Sequence, residues 1–111
     1  MTGCENINLT SQLNNYLLHL KDVKKSSDNT VQAYRRDLDK FLEFALLNNI
    51  SDCSEVDSDI VSQFKEYLID KSLSSASVSR TLSSLRSLYQ FLISEGICEN
   101  NPAKAVHNDK V

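Results

Sequence analysis

Apolar residues return at steps of three and four in four separate runs, and no other feature limits the possible folds of this chain as much. Leu9, Leu13, Tyr16, Leu17, Leu20 and Val23 make the first stripe, with Thr10 or Asn8 placed to cap its start. After the polar break KKSSDN comes a second, Val31, Tyr34, Leu38, Phe41, Leu42 and Ala45, capped by Ser27 or Asn29 and closing near Asn48 and Asn49. The acidic loop SDCSEVDSD offers Asp57 or Ser58 as the cap of a shorter third stripe, Ile60, Phe64, Tyr67 and Leu68, which ends at Asp70 and Lys71. Ser74 or Ser75 caps a fourth, Val78, Leu82, Leu85, Tyr89 and Leu92. Gly96 is placed to close it in a left-handed conformation, and Pro102 excludes helix nearby. With two glycines, one proline and no long strand-like alternation in 111 residues, the expectation is all-α: four helices with short connections in one compact bundle.

Charge is segregated. The net charge is −3, which on an even surface would disfavour nucleic acid. Between Lys21 and Lys40, however, the chain carries Lys21, Lys24, Lys25, Arg35, Arg36 and Lys40 against Asp22, Asp28, Asp37 and Asp39, and Ser72 to Ser94 carries Arg80 and Arg86 with no acid. Asp52 to Asp70 holds six acids against Lys65 alone. One positive face and one negative back are expected. Cys4, Cys53 and Cys98 are odd in number and far apart, without a C-x-x-C pair, so they suggest neither a disulfide framework nor a zinc site. Cys53 and Cys98 read as inert thiols of a reducing, cytoplasmic compartment. No apolar run reaches the roughly 20 residues a bilayer demands, and no signal-peptide pattern opens the chain.

The fourth stripe lies in SVSRTLSSLRSLYQFL, where five of sixteen residues are serine. Advancing about 100° per residue from Val78 puts Ser79, Arg80, Ser83, Arg86, Ser87 and Gln90 on one arc away from the apolar stripe. Serine competes for its own backbone and weakens a helix by roughly a few tenths of a kcal/mol, so several on one face call for a reason. Short hydroxyls admit a close approach and donate to phosphate oxygens, while arginines supply charge and read guanine edges, as a DNA groove requires. A merely solvated face, or one that with Phe91 binds another helix as a protein-protein interaction module, fits the same composition.

Two segments carry a resemblance. Ser75 to Pro102, through Ser75, Arg80, Leu82, Leu85, Arg86, Tyr89, Leu92, Gly96, Asn101 and Pro102, resembles the last helix and exit of the N-terminal core-binding domain of tyrosine recombinases, the phage integrase and Xer family. Asn29 to Phe41, NTVQAYRRDLDKF, is similar to that family's N-T-x-x-x-Y-x-x-D-L-x-x-F signature. The resemblance spans roughly Leu9 to Ala103. It implies a four-helix SAM-like bundle that forms half of a C-shaped clamp on double-stranded DNA, its second and fourth helices facing the duplex. Carried over by position, it places Thr30, Tyr34, Arg35, Arg36, Ser79, Arg80, Ser83, Arg86 and Ser87 near phosphates and groove edges. Residues 9–100 would be the core-binding domain, 1–8 a flexible N-terminus, and 101–111 a linker toward a catalytic domain that this chain does not contain. That domain and other recombinase protomers on DNA are the implied partners, with no membrane.

The remaining chemistry-bearing residues read as structural. Tyr16, Tyr34, Tyr67 and Tyr89 fall on apolar stripes without convergent arginines and histidines, so none is expected to be a nucleophile, and no catalytic, metal or cofactor site is expected. For Tyr34, a core ring with an available hydroxyl is expected. His19 reads as a boundary residue and His107 as part of a tail. Lys21, Lys24 and Lys25 suit either phosphate contacts or the negative end of a helix dipole. Phe44 and Phe91 lie off the main stripes, to meet a neighbouring protomer or the missing domain, or to close the far side of the bundle.

Overall fold

The computed structural model describes residues 7–106; the N-terminal stretch 1–6 and the end 107–111, with His107, lie outside them. Four helices follow in order, α1 (Ile7–Asp22), α2 (Asp28–Leu47), α3 (Ser58–Asp70) and α4 (Ser75–Ser94), with a short 3-10 turn at Cys53–Glu55 between α2 and α3. Among the described residues the chain is all-α. The starts of α2, α3 and α4 are set by side-chain oxygens of Ser27, Asp57 and Ser74, which accept from the backbone N–H of Thr30, Ile60 and Ser77 at 3.2, 2.9 and 3.1 Å. Asp52 caps the 3-10 turn in the same manner through Ser54 N–H at 2.9 Å. Helix α1 starts at Ile7, so Asn8 and Thr10, expected as caps, are within it.

The last three helices end in one repeated device. Asn49, Ser72 and Gly96 adopt φ of 59°, 66° and 76°, and the aliphatic residue after each donates its N–H to a carbonyl five residues back: Ile50 to Ala45, Leu73 to Leu68, Ile97 to Leu92. Each left-handed residue itself donates to a carbonyl three back, completing a Schellman closure. Helix α1 ends differently, with Lys25 at φ 55° and Ser26 N–H reaching Leu20. Val23 falls in this turn beyond α1 and is 66% exposed, so it leaves the stripe to which its spacing assigned it.

Helix α4 is the organising element, packing against each of the other three, and α2 also packs on α1 and α3. Leu9, Leu13, Leu38, Phe41, Phe64, Leu82, Leu85, Leu88 and Leu92 meet in a single core. Their burial is the main drive for collapse, at about 25 cal/mol per Å² of apolar area withdrawn from water. Phe44 and Phe91 close the bundle. Phe44 is buried against Phe64 and Tyr67, with ring centres 5.3 and 5.4 Å away, and half-buried Phe91 leans on Tyr16 and His19. The segment after α4 folds back on the body, where Ala103 and Val106 are buried.

Candidate nucleic-acid interface

A buried acid joins the two helices of the candidate interface. Asp37 of α2 is 1% exposed, and its carboxylate accepts two hydrogen bonds from Arg80 of α4, from Nε at 3.1 Å and Nη2 at 2.9 Å. Ser84 donates a third at 3.0 Å, and Lys40 Nζ lies 3.9 Å away. This fork-to-carboxylate geometry is the strong form of an ion pair. Hydrogen bonding to Asp37, and then its charge, raises the Arg80 guanidinium above its ordinary value. More than half of the Arg80 side chain still faces solvent.

The contact also fixes the direction of the helices. One turn before Asp37, Tyr34 lines a shallow cleft of about 450 Å³ with Thr30, Lys24, Ser87, Gln90 and Tyr16. The early residues of α2 therefore lie beside the late residues of α4, and the pair is antiparallel. Tyr34 is half-buried, its ring edge-on to Tyr16 with centres 6.1 Å apart. Burial, then the neighbouring Tyr34, pushes the Tyr16 hydroxyl up to about 12, opposed by its hydrogen bond to Ser87. The cleft thus presents hydroxyl groups, the Gln90 amide and the Lys24 amine, donors suited to an anionic oxygen.

The nine residues expected at DNA are not equivalent. Thr30, Tyr34 and Ser87 share the cleft; Ser79, Arg80 and Ser83 are exposed on α4; and Arg35 and Arg36 are exposed on α2. A step of about 100° separates Arg35 from Arg36 around the helix, with Arg36 on the side nearer Asp37 and Lys40. Half-buried Arg86 has an internal task. Its Nε donates to Ala103 O at 3.0 Å, its Nη2 to Val106 O at 2.7 Å and its Nη1 to Ser83 Oγ at 3.3 Å. Asn101 Nδ2 completes the latch by donating to Arg86 O at 3.2 Å.

Three roles were left unassigned by the sequence reading: those of Asp37, the fixed acid of the NTVQAYRRDLDKF segment, and Ser84 as the inner lining of the seam, and that of Asn101 as the partner of Arg86. The signal for Asp37 lay in Phe44. On a helical wheel the two are about 20° apart, so a core wide enough for that aromatic also takes in the acid. Among the described residues no three His, Cys, Asp or Glu side chains form a metal-binding group, and no helix is long and apolar enough to cross a membrane.

Comparison with known proteins agrees with this architecture. Residues 13–96 match the family model described as "Phage integrase, N-terminal SAM-like domain". Tyrosine recombinase XerC of Pseudomonas syringae pv. syringae is 33% identical over 102 residues, covering 92% of this chain and 34% of that protein. XerC of Roseiflexus sp. is 30% identical over 103 residues, covering 93% and 33%. The chain thus spans about a third of the length of these curated relatives. The crystal structure of the N-terminal domain of a phage integrase/site-specific recombinase from Haloarcula marismortui superposes with a TM-score of 0.84. It covers 92% of this chain and 96% of that one at 17% identity, a likeness of fold. With its helices, core and sequence in accord over residues 13–96, the chain belongs to the SAM-like N-terminal domain family of the phage integrases and tyrosine recombinases.

Proposed function

We propose that this domain holds double-stranded DNA as the non-catalytic, core-binding half of a site-specific tyrosine recombinase clamp. A separate catalytic domain of the same polypeptide would break and rejoin the phosphodiester, and other protomers would occupy the same site. The observation that carries the reading is the α2–α4 seam of a recombinase-family domain, with hydroxyl and amide donors at one end and cations around one buried acid at the other. In this reading Thr30, Tyr34 and Ser87, helped by Lys24 and Gln90, donate to one phosphate. Arg36, Lys40 and the solvent side of Arg80 draw the next along the strand. Exposed Ser79 and Ser83 keep α4 low enough to approach the groove, Arg35 serves a flank, and Arg86 adds charge while holding the exit segment. Residues 9–100 form the binding body, and 101–111 lead toward the catalytic half.

Titration against a labelled duplex over roughly 50 to 200 mM salt tests the proposal, because each neutralised phosphate releases about 0.9 counterion. Four to six contacts give a log-log slope of about −4 to −5. Affinity of the single domain should be micromolar or weaker, since it lacks the effective concentration that a tethered second half supplies. Binding indifferent to salt, or none at low salt, would overturn the reading.

A further inference from the structure

Cys53 and Cys98 stand 45 positions apart, yet their sulfurs are 2.8 Å from each other. Both backbones are held. Cys53 N–H donates to Gln12 Oε1 at 3.3 Å, and the Cys53 carbonyl accepts from the Tyr89 hydroxyl at 2.7 Å. Cys98 N–H is bonded to Leu92 O at 3.3 Å, just past the end of α4. Two thiols on anchored backbones are neighbours, not the separate groups that their sequence spacing suggested. A shared metal suits them poorly, because two thiolates on one zinc ion sit about 3.7 Å apart for tetrahedral bonds of about 2.3 Å. Their shared surroundings also hold no third ligand among the described residues.

We infer that Cys53 and Cys98 form a thiol-disulfide site, oxidised by a small disulfide such as glutathione disulfide, whose closure staples the exit from α4 to the 3-10 turn. A surface cleft of about 310 Å³, lined by Cys53, Ser54, Tyr89, Ile97, Cys98 and Asn100, gives such a reagent its approach. The sulfurs divide the work by burial. Cys53 is fully buried, and desolvation first, then its hydrogen bond with Cys98, pushes its thiol up, so it is the slower to ionise. Half-buried Cys98 attacks first.

The Cys98 thiolate takes one sulfur of glutathione disulfide and expels a glutathione thiolate. Cys53 then gives up its proton and attacks the Cys98 sulfur, expelling the second glutathione. Two protein thiols become one disulfide, and their two electrons and two protons leave on two molecules of reduced glutathione. The product closes a long loop that contains all of α3 and α4, which restricts the unfolded chain and raises stability. Because residues 95–106 follow directly from α4 and include Cys98 near their start, the same bond fixes the start of the exit segment.

The test uses the chain with Cys4→Ser, which removes the third thiol, treated with glutathione disulfide in native buffer and in urea. Expected are a product lighter by two hydrogens, a tryptic cross-link between peptides 41–65 and 87–104, and a thermal midpoint several degrees higher that dithiothreitol reverses. The cross-link should form about tenfold or more faster in native buffer than in urea, since folding supplies the effective concentration. Adding Cys98→Ser, at a half-buried position, should abolish it while leaving the helical spectrum intact. Glutathione retained on Cys98 without ring closure, or closure no faster in the folded chain than in urea, would overturn the inference.

Discussion

Asp37 and Arg80, forty-three positions apart, meet through two hydrogen bonds of 2.9 and 3.1 Å, with the acid buried and the base more than half exposed. The asymmetry decides what each substitution does. Arg80→Ala leaves a buried carboxylate with only Ser84 and a distant Lys40, and should cost about 1 to 3 kcal/mol, moderated by the solvent that already reaches the guanidinium. Asp37→Ala strips Arg80 and Ser84 of their acceptor and opens a small cavity, at a similar cost. The pair Asp37→Leu with Arg80→Met should recover much of the loss, because an apolar pair escapes the desolvation penalty. Urea denaturation of the parent, Arg80→Ala, Asp37→Ala and the Asp37→Ala, Arg80→Ala double variant gives the coupling directly, with the Leu/Met pair measured beside them; additive losses would mean that the two side chains do not act together.

The helix ends lend themselves to a simpler test. Ser72 holds φ 66° with a β-carbon, a conformation that costs an L-residue roughly 1 to 2 kcal/mol. Ser72→Gly should therefore raise stability by about 0.5 to 1 kcal/mol after the entropy that glycine adds to the unfolded chain. Gly96→Ala should lower it by about 1 kcal/mol, although a β-carbon there meets nothing within 4 Å. Thermal melts of both variants separate backbone strain from crowding, and equal effects of the two would contradict the closure described.

What could be read from the sequence followed local periodicity. Ser27, Asp57, Ser74 and Gly96 announced their roles because capping depends on neighbours three to five residues away. Asn49 and Ser72 perform the same closure as Gly96 but do not look like it, and the clue that remained was the aliphatic residue after each. Val23 misled because periodicity does not reveal the residue at which a helix stops. The four-helix class was legible. The engagement of Arg80 with Asp37, of Arg86 with Ala103 and Val106, and of Cys53 with Cys98 was not, since each depends on how distant segments pack.

Removing the Arg86 latch should act locally. Arg86→Ala deprives the carbonyls of Ala103 and Val106 of their donor, and hydrogen exchange at residues 103–106 should accelerate well beyond the change in global stability of about 1 to 3 kcal/mol. Arg86→Lys should rescue only part, because an ammonium lacks the planar fork that spans two carbonyls. Uniform acceleration across all four helices would mean that Arg86 supports the whole fold and has no special claim on the exit.

At the proposed interface, Ser83→Glu should abolish DNA binding by setting a carboxylate against phosphate, whereas Ser83→Ala should cost about 0.5 to 1.5 kcal/mol. Arg36→Ala should weaken binding to all duplexes and shorten the salt slope by about one, with Arg35→Ala the milder of the two. Lys65→Ala, on the acidic α3, should bind as the parent does. Anisotropy titrations against a cognate and a scrambled duplex read all of these. If Ser83→Glu still binds like the parent, the serine face belongs to some other partner.

The grip of Arg86 on Ala103 and Val106 also has a mechanical meaning. A chain leaving a helix would ordinarily become a flexible tether at once, whereas here twelve residues, from 95 to 106, pass before the last anchored carbonyl. Released as a random coil, twelve residues would let an attached body wander by roughly 20 Å, since the root-mean-square span grows as about 5 to 6 Å times the square root of length. By holding that length against the bundle, one arginine converts slack into a fixed point of departure, and anything attached beyond Val106 swings from there on a correspondingly shorter leash.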